Sequence, residues 1–186
     1  MHNNKTLNVQ TKTRPMGWAR AFALALVLAA PRAGAQPPSG PAQGFDIHLT
    51  APHVVEGMVM GPFHHYCKLA QEEPLVLECL LYHSTEPDAR LVGVEYFIDK
   101  RLTRPNLPLD VWNQYYHDHE VEIATGRVAV LDREPEEAAA LAAAAARTDG
   151  IIWKLWLHQT VPDGRAIPAQ SVGHRPRSDA PASPEE

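Results

Sequence analysis

The feature that most constrains the fold is a series of short apolar segments, rich in β-branched and aromatic residues, that turns separate from one another. The clearest is Ala89–Ile98, which follows the turn residues Pro87-Asp88. Phe63–Leu69 and Leu75–Tyr82 form a similar pair, separated by the charged, proline-containing stretch 71–74. Because strands joined by short turns run antiparallel, this pattern predicts a mostly antiparallel sheet.

Helical patterns interrupt the strands at two clear points. Glu134–Arg147 has proline and acids in its first turn and arginine in its last, which suits the helix dipole. Leu109–His117 follows Pro108 and presents apolar residues on one side. The remaining segments are a less certain helix within 45–60, a hairpin of Val121–Ile123 with Arg127–Leu131 around Thr125-Gly126, and a last strand, Ile151–Thr160. We therefore expect a single α+β domain with two or three helices.

The first 35 residues are typical of a signal peptide. Basic residues precede the apolar run 21–30, and the small-residue pattern Ala33-Gly34-Ala35 follows it. The run is shorter than the roughly 20 apolar residues that span a bilayer. We expect cleavage before Gln36 and a periplasmic or secreted protein. A retained membrane anchor is the alternative.

The composition beyond the leader divides the chain into three parts. Residues 36–44 are rich in proline and glycine and predict a flexible lead-in. Residues 162–186 have many prolines, few apolar residues and no periodicity, which predicts a disordered tail. The folded domain is therefore expected over 45–161, a length that suits one hydrophobic core.

The charge balance excludes one class of partner. The leader holds five of the 17 basic residues and none of the 22 acidic ones, so the rest of the chain carries a formal charge of −10 with neutral histidine. Such an acidic protein repels nucleic acid phosphates. After the leader, no segment is long and apolar enough to be a transmembrane helix.

The two cysteines allow three interpretations. Cys67 and Cys79 each lie six residues from Glu73, so a hairpin symmetric about that residue places them face to face. Export to an oxidising compartment would favour a disulfide. The alternatives are two buried thiols, or Cys67 as a metal ligand.

Two histidine clusters are the main candidates for chemistry. His64-His65 and His117-Asp118-His119 each lie beside a strand-like segment. On a strand, positions i and i+2 share a face, so the imidazoles of His117 and His119 could reach one ion. His65 completes a three-nitrogen set, and its neighbour His64 is a further candidate on the opposite face. Together with Glu95, these groups suit Zn, Cu or non-haem Fe.

Glu95 lies in the middle of its strand and has two interpretations. If its side chain faces inward, it needs a partner or a raised pKa, and it could be a ligand or an acid/base group. If it faces solvent, the alternate residues 92, 94, 96 and 98 form the core face. The histidines likewise allow a purely structural role as hydrogen-bonded packing residues.

Several segments together resemble the oil body-associated protein family, which has bacterial, fungal and plant members. The similarity is firm over 64–123 and looser over 150–160; its motifs are HHYC (64–67), ECLLYHS (78–84), DARLVGVEYFI (88–98) and WNQYYHDHEVEI (112–123). The leader, the Trp112-to-His117 spacing and the alanine-rich helix depart from the family pattern. The resemblance implies an association of plant members with seed oil bodies, but no catalytic residues.

Three functional hypotheses follow. The first is an exported protein of unknown activity that binds a transition metal through clustered histidines. The second is a metal-dependent enzyme with Glu95 as the proton carrier. The third is a protein that binds lipid or a small apolar ligand, suggested by aromatic residues that could instead be core: Trp112, Tyr115, Tyr116, Trp153 and Trp156. The oligomeric state is left open.

Overall fold

The computed structural model describes residues 44–178 of the 186-residue chain. The expected signal peptide, the lead-in up to residue 43 and the last eight residues of the expected tail lie outside the described residues. Between residues 44 and 178, no helix has the length and apolar character needed to cross a membrane.

The described strands are all paired antiparallel, and six of them close into a barrel. The strands are β1 (Ile47–Val55), β2 (Met58–Gln71), β3 (Val76–Tyr82), β4 (Leu91–Asp99), β5 (Tyr116–Asp118), β6 (Ala129–Leu131), β7 (Thr148–Lys154) and β8 (Ile167–Ser171). Hydrogen-bonded neighbours follow the order β2-β3-β4-β7-β8-β1, and β1 pairs back with β2. The mostly antiparallel sheet is thus confirmed, and its closure is a more specific result than the sequence predicted.

β7 and β1 do not pair directly, and three short strands, β5, β6 and β8, lie between them. Over one half of the gap, β8 pairs with Ile152–Lys154 of β7 and with His53–Val55 of β1. Over the other half, β5 pairs with β7 around Gly150, and β6 pairs with β1 around Leu49. The chain between β5 and β6 can therefore place side chains inside the barrel.

Four helices lie within residues 44–178: α1 (Lys100–Thr103), α2 (Leu109–Tyr115), α3 (His119–Ala124) and α4 (Pro135–Ala145). The two helices expected from the sequence are confirmed as α2 and α4. The count exceeds two or three because α1 is a single turn and α3 replaces a predicted strand. Asp118 caps α3 by accepting a hydrogen bond from the backbone N–H of Glu120, which explains why a helix begins there.

Other predicted elements need correction. The helix expected within 45–60 is wrong, since this stretch forms β1 and the beginning of β2. The hairpin around Thr125-Gly126 is also wrong, because β6 pairs with β1 instead. The last predicted strand begins earlier, at Thr148, so Gly150 lies inside β7 rather than ending a helix. Here pairing across the barrel decides the structure over local propensity.

The folded domain extends beyond residue 161. Residues 167–171, expected to lie in a disordered tail, form β8, which bridges β7 and β1. Ala169 and Ser171 face inward and are buried. The low apolar content of 162–186 misled the prediction because a short strand needs only two inward-facing residues to fill its place in a barrel.

Inward-facing residues of β2 and β3 form an apolar part of the interior. Leu77, Cys79 and Leu81 alternate on β3 and are buried. Cys67 of β2 lies directly opposite Cys79, and the two form a disulfide. The register inferred from their equal spacing about Glu73 is therefore confirmed. Since both sulfurs are bonded to each other, Cys67 is not a metal ligand.

Candidate metal centre

A polar cluster occupies the interior of the barrel beside this apolar part. At its centre is Glu95 of β4, whose neighbours on the inward-facing row are Gly93 and Phe97. The cluster comprises His53 of β1, His65 of β2, Glu95 of β4, His117 of β5, and His119 and Glu122 of α3. Each of these six side chains is at most 2% exposed. Six ionisable side chains so deeply buried require partners or a cation.

The first group contacts one oxygen of the Glu95 carboxylate. His65 Nε2 lies 2.9 Å from Glu95 Oε2, and His53 Nε2 lies 3.8 Å from the same oxygen. The two Nε2 atoms are 3.2 Å apart. Thus, two imidazoles from neighbouring strands point their Nε2 atoms at one carboxylate oxygen.

The second group contacts the other oxygen. His117 Nε2 and His119 Nε2 lie 3.3 and 3.2 Å from Glu95 Oε1, and 3.2 Å from each other. Glu122 Oε2 lies 3.4 Å from His117 Nε2 and 4.0 Å from His119 Nε2. Two nitrogens and one oxygen of Glu95 therefore lie within 3.3 Å of one another, and Glu122 approaches the two nitrogens from beside His117.

The hydrogen-bond partners of the ring Nδ1 atoms assign the tautomers of two of these histidines. His65 Nδ1 faces the carbonyl oxygen of Phe63 at 3.0 Å, so Nδ1 carries a proton. Thr148 Oγ1 donates to the carbonyl of Ala145, which leaves it to accept from His119 Nδ1 at 2.8 Å. With Nδ1 protonated, the Nε2 atom of each ring is the one that faces the Glu95 carboxylate. A second proton or a metal ion between Nε2 and the carboxylate oxygen makes each contact favourable.

The electrostatics keep Glu95 ionised and His119 neutral. Burial would raise the pKa of Glu95, but contacts with His117, His119 and His65 together lower it well below its usual value. Burial lowers the pKa of His119 to about 4, even though Glu95 opposes the shift. Without a metal ion, the lowered pKa of Glu95 requires protons donated by its histidine neighbours. The neutral ring of His119, whose Nδ1 proton points to Thr148, cannot donate one from Nε2.

The pKa values of His117 and Glu122 are both raised. Burial lowers the pKa of His117, but Glu122 and Glu95 outweigh it and raise this pKa overall. Burial raises the pKa of Glu122 to about 7. Without a metal ion, one proton on His117 can therefore compensate part of the negative charge. It cannot serve both His119 and His65, whose Nε2 atoms face different oxygens of Glu95.

The spacing of the second group fits a metal ion. With bonds of about 2.0–2.1 Å, the donor atoms of a tetrahedral site lie about 3.3–3.4 Å apart. The separations among His117 Nε2, His119 Nε2 and Glu95 Oε1 are 3.2–3.3 Å, and Glu122 Oε2 lies 3.4 and 4.0 Å from the two nitrogens. Side-chain nitrogen and carboxylate oxygen are the donors that Zn²⁺ and similar ions accept.

Two neighbours fix the rings of this group. A Cβ atom on Gly150 of β7 would overlap the rings of both His117 and His119, so only glycine leaves room for them. Phe97 stacks on His119 with ring centroids 3.7 Å apart and an interplanar angle of 12°. The imidazoles thus occupy places prepared by β7 and β4.

Lys154 of β7 lies at the other side of the cluster. Its side chain is fully buried, and its Nζ lies 3.3 Å from the centroid of the Phe63 ring. Burial lowers the pKa of Lys154 to about 7, although Glu95 opposes the shift. Within residues 44–178, this Nζ makes no hydrogen bond, and neither do His53 Nδ1, His117 Nδ1 and Glu122 Oε1. So many unsatisfied buried polar atoms are typical of a functional site rather than of a packed core.

The structure brings together four of the five residues predicted as ligands. His65, His117, His119 and Glu95 all belong to the cluster, and Glu95 is the residue they share. His64 does not, because it points away from His65 and contacts His48 on the outer face. Of the two alternatives for an inward-facing Glu95, a partner or a raised pKa, the structure shows the partners: contacts with His117, His119 and His65 lower its pKa.

Sequence reasoning missed His53 and Glu122. His53 was hidden because its segment was interpreted as a helix, whereas the alternation of buried residues along β1 places it inward. Glu122 appeared out of line on a strand, but on helix α3 it lies three residues from His119 and shares its face. The signal for Glu122 was the capping residue Asp118, which marks the beginning of a helix.

Trp112 is a core residue and not part of an open apolar pocket. Its side chain is fully buried, and its Nε1 donates to Asp149 Oδ2 at 2.9 Å. Trp153 and Trp156 are both partly exposed.

Curated relatives support the resemblance to oil body-associated proteins. The chain is 35% identical to oil body-associated protein 1B of Arabidopsis thaliana over 65 residues, which are 34% of this chain and 24% of the relative. It is 33% identical to oil body-associated protein 2A of Zea mays over 97 residues, 50% of this chain and 35% of the relative. The matches thus span well under half of these relatives. No solved structure gives a significant match.

A family model covers more of the chain than any of these pairwise matches. The model is described as "Protein of unknown function (DUF1264)" and matches residues 39–173, which include every described strand and helix. Because the match extends over well more than half of the 186 residues, this chain belongs to that family of unknown function.

Proposed function

We propose that this protein binds a transition-metal ion inside its barrel through His117, His119, Glu95 and Glu122. The observation that carries the proposal is the proton count at His119. Its Nδ1 proton is committed to Thr148, so in the neutral ring Nε2 is free to bind an ion, and it lies 3.2 Å from Glu95 Oε1 and 3.2 Å from His117 Nε2. A metal ion among these three atoms would bind all of them, with Glu122 as the further ligand on the side of His117.

The donor set favours Zn²⁺, with Cu²⁺ and Fe²⁺ as competitors. Two imidazoles and two carboxylates combine the nitrogen and oxygen donors that these ions accept. Ca²⁺ and Mg²⁺ prefer six or more oxygen ligands, including water, and fit this buried nitrogen-containing set poorly. Four protein donors are also the number found in closed, structural zinc sites.

The acid/base role proposed for Glu95 has less support than its role as a ligand. A general base works best with a pKa near the working pH, whereas contacts with three histidines lower the pKa of Glu95 well below its usual value. A permanently charged carboxylate at the centre of the cluster suits metal binding. We therefore derive no catalytic step for this residue.

We also propose that the protein is exported, as its first 35 residues predict. The Cys67–Cys79 disulfide supports this, because such bonds persist in oxidising compartments. N-terminal sequencing of the protein from fractionated cells tests it. Export predicts a chain that begins at Gln36 outside the cytoplasm, and an uncleaved cytoplasmic chain would contradict the proposal.

Metal analysis tests the binding proposal directly. We expect the purified protein, loaded with Zn²⁺ and dialysed against buffer, to retain zinc in mass spectrometry. The double variant His117→Gln/His119→Gln should retain at least one ion fewer per chain. The matched control His83→Gln/His158→Gln changes two exposed histidines and should retain the wild-type amount.

Co²⁺ gives a test that does not depend on a variant that folds. Four-coordinate Co²⁺ absorbs strongly in the visible range, so titration of the metal-free wild-type protein should produce an intense band. A wild-type protein that retains no zinc and develops no such band with Co²⁺ would overturn the proposal.

A further inference from the structure

We propose that the barrel interior binds two metal ions, which the Glu95 carboxylate bridges. This inference rests on the proposed function for its first ion, held by His117, His119, Glu95 and Glu122. The second ion would be held by His53, His65 and Glu95. None of the sequence patterns distinguishes one ion from two.

The geometry of His53, His65 and Glu95 supports the second ion. His65 Nδ1 donates to the carbonyl of Phe63, so its Nε2 is bare and lies 2.9 Å from Glu95 Oε2. His53 Nε2 lies 3.2 Å from that nitrogen. The three metal-binding atoms, His53 Nε2, His65 Nε2 and Glu95 Oε2, thus lie 2.9–3.8 Å from one another. All three residues are buried, so this donor set is enclosed within the barrel.

The two oxygens of Glu95 are divided between the two groups. Oε1 faces His117 and His119, while Oε2 faces His65 and His53. A single ion bound to Oε1 leaves the lone pairs at Oε2 unbalanced. A carboxylate that binds one ion with each oxygen is a common bridge in two-metal sites, where the ions lie about 3.5–4 Å apart.

The second ion would have an open position. His53, His65 and Glu95 supply three donors, one fewer than the closed tetrahedral site requires. A cavity of about 10 Å³ adjoins these residues and is also lined by His119 and Glu122. This volume is close to that of one water molecule. A water or hydroxide in the cavity can therefore complete the coordination of the second ion.

The position proposed for the second ion is buried, since His53, His65 and Glu95 are each at most 2% exposed. Glu95 and Glu122 supply negative charge inside the barrel, where it offsets part of the charge of two divalent ions. Neutral imidazoles and ionised carboxylates are the forms in which these groups bind metals.

Stoichiometry separates this proposal from the proposed function. Wild-type protein loaded with Zn²⁺ and dialysed should retain two ions per chain. One ion per chain would overturn the bridged pair and leave the single site in place, and no retained ion would overturn both. The double variant His53→Gln/His65→Gln should retain one ion, and two ions in this variant would overturn the assignment of the second site.

Magnetic coupling tests the bridge itself. Two Cu²⁺ ions joined by one carboxylate should couple, so the electron paramagnetic resonance signal of the wild-type protein should be much weaker than its copper content requires. The variant His53→Gln/His65→Gln should show one uncoupled Cu²⁺ with full signal. Two uncoupled ions in the wild-type protein would contradict a shared carboxylate.

Discussion

Two histidine clusters lie on opposite faces of strand β2, only one residue apart, and they differ in how their protons are placed. The outer cluster consists of His48, His64 and Asp132. His48 Nδ1 donates to Asp132 Oδ2 at 2.6 Å, and His48 Nε2 lies 3.0 Å from His64 Nδ1. Each contact can join one donor to one acceptor, with both rings neutral. The outer cluster is therefore complete without a metal ion.

The inner cluster has more acceptors than donors. His65 and His119 both commit their Nδ1 protons to other groups and turn bare Nε2 atoms toward Glu95. Histidine clusters in both places look alike in sequence, and both lie near carboxylates. The count of protons at each nitrogen, rather than the number of histidines, distinguishes a candidate metal site from hydrogen-bonded packing.

The largest expected effect belongs to Glu95→Gln. The amide keeps the shape of the side chain but loses the charge and one acceptor oxygen that the inner cluster needs. We expect the affinity for Zn²⁺ to fall by more than the about 10–100-fold that loss of an outer-shell partner causes. Competition with a chelator of known affinity measures it.

The matched control for this variant is Glu78→Gln on β3. Glu78 lies on the strand between β2 and β4, but in its outward-facing row, and it pairs with Lys68 at 3.0 Å. It should bind Zn²⁺ like the wild-type protein. If both variants bound equally well, the distinction between inner and outer carboxylates would fail.

Alternation along single strands was predictable from the sequence, and pairing between distant strands was not. The i, i+2 parity rule correctly placed His65 and His64 on opposite faces, because β2 is a regular strand at that point, but it did not tell which face is inward. The barrel closure depends on β1 and β8, whose segments carry too few strand signals to be recognised alone. Convergence of β2, β4 and α3 on Glu95 follows from that closure.

Whether a segment is taken as helix or strand decides which members of the site the sequence predicts. Glu122 shares a face with His119 on a helix but not on a strand, so interpreting 121–123 as a strand removed it from the site. His53 was lost for the converse reason, since a helical period places it differently from the β1 pattern. Each error came from a short segment whose partner strand, and not its own composition, sets its structure.

Thr148→Val should have a smaller effect than Glu95→Gln. Thr148 is a positioning residue: its hydroxyl accepts the Nδ1 proton of His119 and so directs Nε2 toward the candidate ion. Valine keeps the volume but leaves that proton without a partner. We expect affinity for Zn²⁺ to fall by about 10–100-fold, as for other outer-shell partners of metal-binding histidines.

The control for this variant is Thr160→Val, which changes an exposed threonine. It should leave the affinity unchanged. The tautomer of His119 can be read separately from the nitrogen chemical shifts of its ring in the two proteins. An unchanged shift pattern and affinity in Thr148→Val would refute the assigned proton.

Asp99 gives a pH-dependent contrast with Glu95 on the same strand. Its donors are in place: Arg101 donates from both its backbone and its side chain and lowers the pKa of Asp99 to about 2. The pKa of Asp99 in the folded protein lies below the unfolded value of 3.8. The ionised Asp99 carboxylate therefore stabilises the folded protein above about pH 4, and this stabilisation is lost as the pH falls through about 2.

Asp99→Asn should therefore lower the free energy of unfolding at pH 7 by less than about 1 kcal/mol, because Arg101 is largely exposed. Urea unfolding at a series of pH values measures it. The difference from the wild-type protein should vanish near pH 2. A difference that persists there would mean that the carboxylate acts through its shape rather than its charge.

The smallest effect is expected for His64→Gln, and it tests the comparison most directly. His64 is the immediate neighbour of His65, yet it faces outward and contacts His48. Removing it breaks one partly exposed hydrogen bond, so the free energy of unfolding should change by about 1 kcal/mol or less. Zinc content and affinity should equal those of the wild-type protein. Loss of an ion in His64→Gln would show that the outer cluster binds metal, and that proton counting does not separate the two faces of β2.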